Sequence, residues 1–203
     1  MPPILPQLLC APRQHIDCCA SLSSTLLDNI ITNLPYQKAI IASIGCGSGL
    51  LEAFLLARRP ILRLLGIEVA SCPVKYLSLE NTRIVNGTRE ICPETVCADM
   101  WMFVYPRTTA LVRAYLEAAE ACASHSQLNL QRIIWIGPSR DWVDFEPVFF
   151  ASVLVDTVRE VEASGLGSYE KMVVISRDVS TLRVNTALDH EDPNSQRLDI
   201  EDI

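Results

Sequence analysis

An α/β fold with a mainly parallel sheet is predicted by three features of the 203-residue sequence. Short apolar runs rich in isoleucine and valine alternate with amphipathic stretches at helical spacing, the pattern of parallel strands joined by crossover helices. One of these runs leads into a glycine cluster that opens a helix. A turn signal at residues 164–168 separates two later segments, as an antiparallel hairpin requires. With 49% hydrophobic residues and a mean hydropathy of +0.23 the chain can bury a continuous core, and its length fits one domain. The expected organisation is a proline-rich segment over 1–20, one α/β domain over 21–179 and an acidic tail over 180–203.

The elements follow in order. Leu22, Leu26, Leu27, Ile30, Ile31 and Leu34 share a helical face, with Ser21, Ser23 or Ser24 as cap and Pro35 as stop. Ala39–Ile44 reads as a strand buried on both sides. Leu50, Leu51, Phe54 and Leu55 open a helix that Pro60 ends, and Ile61–Val69 is a second strand closing on Glu68. Pro73–Val85 reads as a helix, and residues 86–93 as turns. Glu94–Tyr105 holds one or two strands whose boundary stays open. Thr108 or Thr109 caps a helix running to Ala123, and Arg132–Ile136 is another buried strand closed by Gly137 and Pro138. Asp141–Ala151 reads as a loop with a short helix. Ser152–Glu162 can be read as helix or strand; the turn signal at 164–168 and the run Lys171–Ile175 make an antiparallel hairpin the better reading.

Charge and cysteine usage exclude several functions. The net charge is −7, and residues 189–203 carry −5 of it, leaving a nearly neutral body. A nucleic-acid binder needs a basic face to release counterions from phosphates. No apolar run reaches the ~18 residues of a membrane span. The N-terminus has no basic residue before Arg13 and carries four prolines, a poor signal peptide. The eight cysteines lack paired metal-ligand spacing and accompany only three histidines. They read as small buried hydrophobes in a reducing, cytoplasmic setting, with no metal.

The segment Ser43-Ile44-Gly45-Cys46-Gly47-Ser48-Gly49 lies between the first buried strand and its helix. Glycines there bring backbone N–H groups and a helix N-terminus against a ligand, because no Cβ holds it away. Glu68 follows nineteen residues after Gly49 at the end of the next strand, where a carboxylate can accept from both hydroxyls of a ribose. The dinucleotide fingerprint G-x-G-x-x-G would need a glycine at position 50, which is Leu50, and no G-x-x-x-x-G-K-[ST] is present. A glycine turn serving helix packing alone is the alternative.

The spacing G-x-G-x-G with a downstream acid resembles the S-adenosylmethionine-dependent methyltransferases of the Rossmann-like class, over residues 20–177. The resemblance implies a mainly parallel seven-stranded sheet with helices on both faces and a terminal antiparallel hairpin. It implies S-adenosylmethionine as cofactor, with Gly45, Cys46, Gly47 and Gly49 against its amino acid part and ribose. Glu68, with Val69, is implied at the ribose hydroxyls, and an acid after the third strand at the adenine amine. Asp99, with Met100, takes that last place if the third strand ends there; if the strand runs on to Tyr105, Asp99 is only a polar strand residue. The family usually has Asp or Glu where this chain has Ser43, an acid that orients the loop and helps the cofactor's ammonium. Ser43 can accept one hydrogen bond, and Glu52 on the following helix can partly replace the charge.

Methyl transfer from a sulfonium depends largely on positioning the acceptor, so no universal catalytic motif is expected. Tyr105-Pro106-Arg107 faintly echoes the Asn/Asp-Pro-Pro-aromatic motif of amino methyltransferases, without its polar residue and second proline. Tyr105 either lines the methyl or adenine pocket or is a half-buried aromatic before a turn. His15 is a candidate base before the first helix, against the plainer reading of a surface histidine. His125 and His190 are given no role. Asp141 and Trp142 can border an acceptor pocket, though Trp101, Trp135 and Trp142 can equally be core aromatics. The neutral body and the lack of an added domain to grip a polymer favour a small-molecule substrate. A non-methylating cofactor sensor or partner subunit and a nicotinamide-dependent oxidoreductase are the competing readings.

Overall fold

The computed structural model describes residues 3–123 and 128–177. The chain begins with an antiparallel hairpin, β1 (Arg13–His15) and β2 (Cys18–Leu22). It runs across the boundary expected at residue 20. Helix α1 (Ser24–Thr32) follows, capped by Ser23, whose hydroxyl accepts from the Leu26 N–H at 3.0 Å. Next come β3 (Ile40–Ile44), helix α2 (Leu50–Arg58), β4 (Arg63–Val69) and β5 (Thr82–Val85). Then come β6 (Met100–Val104), α3 (Thr109–Ala123), β7 (Arg132–Pro138), α4 (Trp142–Phe150) and the hairpin β8 (Thr157–Glu160) with β9 (Glu170–Ser176).

The sheet has seven strands in the order β5-β4-β3-β6-β7-β9-β8, parallel up to β7 and antiparallel across β9 and β8. The strands alternate sides with period two, which explains their continuous apolar runs. Ile41, Met100, Met102 and Ile134 face α1 and α2, whereas Ala42, Trp101, Phe103 and Trp135 face α3 and α4. The chain builds outward from β3 to β5, then crosses back to β6. That reversal leaves a crevice at the carboxyl ends of β3 and β6.

Two expectations need correction. Pro73–Val85 is not a helix: it holds a 3-10 turn at Leu79–Asn81 and then β5. The N–H groups of Lys75 and Tyr76 both donate to the Ser48 carbonyl, at 2.9 and 3.0 Å, so they are unavailable to a helical ladder. Val74 and Leu77 instead lie over Gly49, where a Cβ would stand 2.8 Å from Leu77 Cγ. Thr82, Ile84 and Val85 are β-branched and suit an edge strand. The second correction concerns the third strand expected to end at Asp99 and Met100: Glu94–Tyr105 holds one strand, within the one or two expected, but this is β6, which begins at Met100 after a 3-10 turn at Pro93–Cys97. Hence β5 is the third strand of the sheet and β6 the fourth. The acidic tail, His125 and His190 lie outside the described residues. No helix among the described residues is long and apolar enough to cross a membrane.

Candidate functional site

The crevice is a cleft of about 770 Å³, bordered by Ile44, Val69, Val85 and Val104 at the carboxyl ends of four parallel strands. Its floor is the glycine loop. The N–H groups of Gly45 and Cys46 both donate to the Ile67 carbonyl, at 2.9 and 3.1 Å, which ties the loop to β4. Gly47 has φ +58 and no atom within 4 Å of where a Cβ would stand, so its open side faces the cleft.

Glu68 stands at the rim. One carboxylate oxygen accepts from the Gly47 N–H at 2.6 Å and the other from the Val69 N–H at 2.8 Å. A carboxylate has about four acceptor positions, so both oxygens keep capacity for hydroxyl donors. Val69 and Cys46 also border the cleft.

Ser43 does not reach the cleft. It is buried beneath the loop, and its hydroxyl donates to Glu52 Oε1 at 2.6 Å. Glu52 does border the cleft, although it is only 1% exposed. Burial pushes its carboxyl up from 4.5 to about 7, with the Ser43 hydrogen bond opposing and Glu68 adding to the rise. Between these two values the folded protein therefore holds a proton that the unfolded chain has lost. This contribution to stability is complete below about pH 4.5 and is lost as pH rises through about 7. Between about pH 5 and about pH 8, wild type should lose up to about 3 kcal/mol relative to Glu52→Gln, which cannot titrate. Urea unfolding at the two pH values measures this, and a constant difference would contradict it.

Asp99 and Met100 lie at the wrong end of the sheet for a cofactor role. Asp99 immediately precedes β6, and its carboxylate accepts from the Ile40 N–H at 2.7 Å at the opposite end of β3 from the loop. Its hydrogen bond raises the Tyr36 phenol to about 12. Its carbonyl also accepts from the Gln131 N–H. Asp99 thus knits strand starts together, and Met100 is wholly buried in the core. The residues that do border the cleft after the third strand are Gly87, Thr88 and Glu90.

Tyr105 follows β6 and lines the cleft with φ +52, a backbone conformation that a tyrosine rarely adopts. Its hydroxyl donates to Glu170 Oε1 at 2.5 Å, and burial together with that carboxylate pushes the phenol upward. His15 does not border the cleft: it sits on β1, where Nδ1 accepts from the Asp17 N–H across the hairpin turn. Asp141 is likewise away from the cleft, and Trp142 packs on Trp135 and Phe149 in the core. The hairpin contributes through other residues, Ile16 to Cys19, which roof the cleft. Asp17 straps it down: its carbonyl accepts from Ser48 Oγ at 2.6 Å, and its carboxylate binds Lys75 Nζ at 2.7 Å and Tyr76 Oη at 2.9 Å.

No family model matches the sequence, and no curated protein does either. Solved structures do match. The precorrin-6y C5,15-methyltransferase of Geobacter metallireducens aligns with a TM-score of 0.55 and 11% identity, over 85% of this chain and 100% of that one. The methyltransferase domain of bacterial CtHen1 aligns with a TM-score of 0.54 and 14% identity, over 75% and 97%. The PH0226 protein of Pyrococcus horikoshii aligns with a TM-score of 0.50 and 10% identity, over 76% and 88%. At these identities the likeness is one of fold. The chain has a Rossmann-like methyltransferase fold.

Proposed function

We propose that this protein is an S-adenosylmethionine-dependent methyltransferase that methylates oxygen or nitrogen of a small molecule. The observation that carries the reading is the floor of the cleft: a glycine loop open on its ligand side, with the Glu68 carboxylate fixed against the Gly47 N–H. The residues present fit the cofactor. The loop and the N-terminus of α2 leave space for its amino acid part, Glu68 retains acceptor positions for a ribose diol, and Glu90 replaces Asp99 as the acid towards adenine. When bound, the sulfonium supplies an activated methyl group. The protein's part is to orient that group, exclude water and hold the acceptor in line, with Tyr105 on the acceptor side.

A cleft of about 770 Å³ under a short hairpin roof suits a small acceptor. The eight cysteines are all unpaired, which supports a cytoplasmic location, but only Cys46 and Cys92 are buried, so the expectation that most are buried does not hold. Titration calorimetry with S-adenosylhomocysteine tests the reading: micromolar binding is expected, and no binding at millimolar ligand would overturn it. Mass spectrometry of metabolite extracts incubated with a methyl-labelled donor would then identify the acceptor.

Glu68→Ala should weaken S-adenosylhomocysteine by about 1.5–3 kcal/mol, the scale of hydrogen bonds to a charged group. The loop also loses its bond from the Gly47 N–H, so a modest fall in melting temperature accompanies the change. An unchanged dissociation constant would place the ribose elsewhere.

A further inference from the structure

We propose that Glu52 receives the primary ammonium group at the amino acid end of the bound nucleoside, a carboxylate supplied from helix α2 rather than from the preceding strand. The inference rests on the cleft being an S-adenosylmethionine site. Glu52 occupies the first turn of α2, directly after the glycine loop, and borders the cleft. Its Oε1 is satisfied by Ser43, while its Oε2 is buried and has no hydrogen-bond partner. A buried carboxyl oxygen left unpaired is costly, and such groups persist where something else completes them.

Among the described residues no group pairs with Oε2; the backbone N–H of Glu52 itself favours the carboxylate but makes no hydrogen bond to that oxygen. The groups that face Glu52 are Ser43 from β3, Cys46 from the loop, Cys18 from β2 and Glu68 from the end of β4. All are neutral or negative, and none is a cation. Burial and the Glu52 charge push the Cys18 thiol up to about 12 and the Cys46 thiol higher still, so neither supplies or removes charge. The missing partner is therefore a cationic donor that arrives with the ligand. A primary ammonium fits, being compact and carrying three N–H donors. The terminal torsion of a glutamate turns with little cost, which lets the free oxygen be presented to the cleft border.

The arrangement links binding to protons. Burial leaves the carboxyl partly protonated near neutral pH, and an ammonium beside it favours the carboxylate. Binding then releases a proton, and affinity rises as pH rises through about 7.

The test is calorimetry with S-adenosylhomocysteine and with its deamino analogue, which lacks only the ammonium. Wild type should bind the analogue at least tenfold more weakly. Glu52→Gln should lose at least tenfold for S-adenosylhomocysteine and less than twofold for the analogue. Titrating wild type in two buffers of different ionisation enthalpy should show proton release with S-adenosylhomocysteine and none with the analogue. That measurement decides the matter even if Glu52→Gln does not fold. Equal affinity of wild type for both ligands, or binding without proton release, would overturn the role of Glu52 and leave the cofactor reading standing. Failure of wild type to bind either ligand would remove both.

Discussion

Gly47→Val is expected to abolish S-adenosylhomocysteine binding while the circular dichroism spectrum stays that of an α/β protein. Gly47 has φ +58, so valine there strains the backbone by about 1–3 kcal/mol. No atom lies within 4 Å of the new Cβ, so the side chain starts into open space rather than into the fold. The branched side chain instead projects into the space assigned to the ligand's amino acid part. Gly49 provides the contrast. A Cβ there would meet Leu77 Cγ at 2.8 Å and Val74 Cγ1 at 3.2 Å, so Gly49→Val should act first through stability. A Gly47→Val protein with near wild-type affinity would take the loop out of the site and remove the main ground for a methyltransferase.

The strands that position this loop were legible because each is buried on both faces. The run Ile40–Ile44 carries one small polar residue, Ser43, which is buried as well, so no polar face disguises it. The edge strand β5 was not legible. It has four residues, and the preceding Val74-Lys75-Tyr76-Leu77 carries an apolar pattern that a helix could also use. What prevents the helix is the Ser48 carbonyl, which takes the N–H groups of Lys75 and Tyr76 from far along the chain. Missing β5 shifted the strand count by one, and this sent the adenine acid to Asp99 at the wrong end of the sheet. The chemistry of the loop survived that error because it is local. Gly47 lies in the loop just past the end of β3 and Glu68 near the end of β4, and parallel pairing of β3 with β4 brings them together. Ser43 and Glu52 are nine residues apart, on opposite sides of the loop, and only the folded loop closes the bond between them.

The hairpin roof was hidden for the same reason, since β1 and β2 have three and five residues and are held from afar. Glu170, the first residue of β9 and only 7% exposed, is the main anchor. Its Oε1 accepts from the Ser21 N–H of β2 at 3.0 Å and from the Tyr105 hydroxyl at 2.5 Å, and its Oε2 from the Gly167 N–H at 2.8 Å. One carboxylate thus ties the roof, the cleft wall and the β8–β9 turn together.

Glu170→Ala leaves three donors without their acceptor, so it should destabilise the protein by roughly 4–9 kcal/mol, each bond to a charged group being worth roughly 1.5–3. That is a large part of the ~5–15 kcal/mol that holds a typical domain. Tyr105→Phe removes one of the three and should cost about 1–3 kcal/mol. Because the two residues share a bond, the double variant should cost less than the sum, by about 0.5–3 kcal/mol. Urea unfolding of the four proteins measures all three quantities. Glu170→Gln keeps an acceptor oxygen for Ser21 and Tyr105 and should stay folded while weakening the bond that holds Tyr105 at φ +52. A loss below about 1 kcal/mol in Glu170→Ala would mean that water replaces the carboxylate, and the roof would then rest on the Asp17 strap together with the hydrogen bond that Gln14 donates to the Tyr169 hydroxyl.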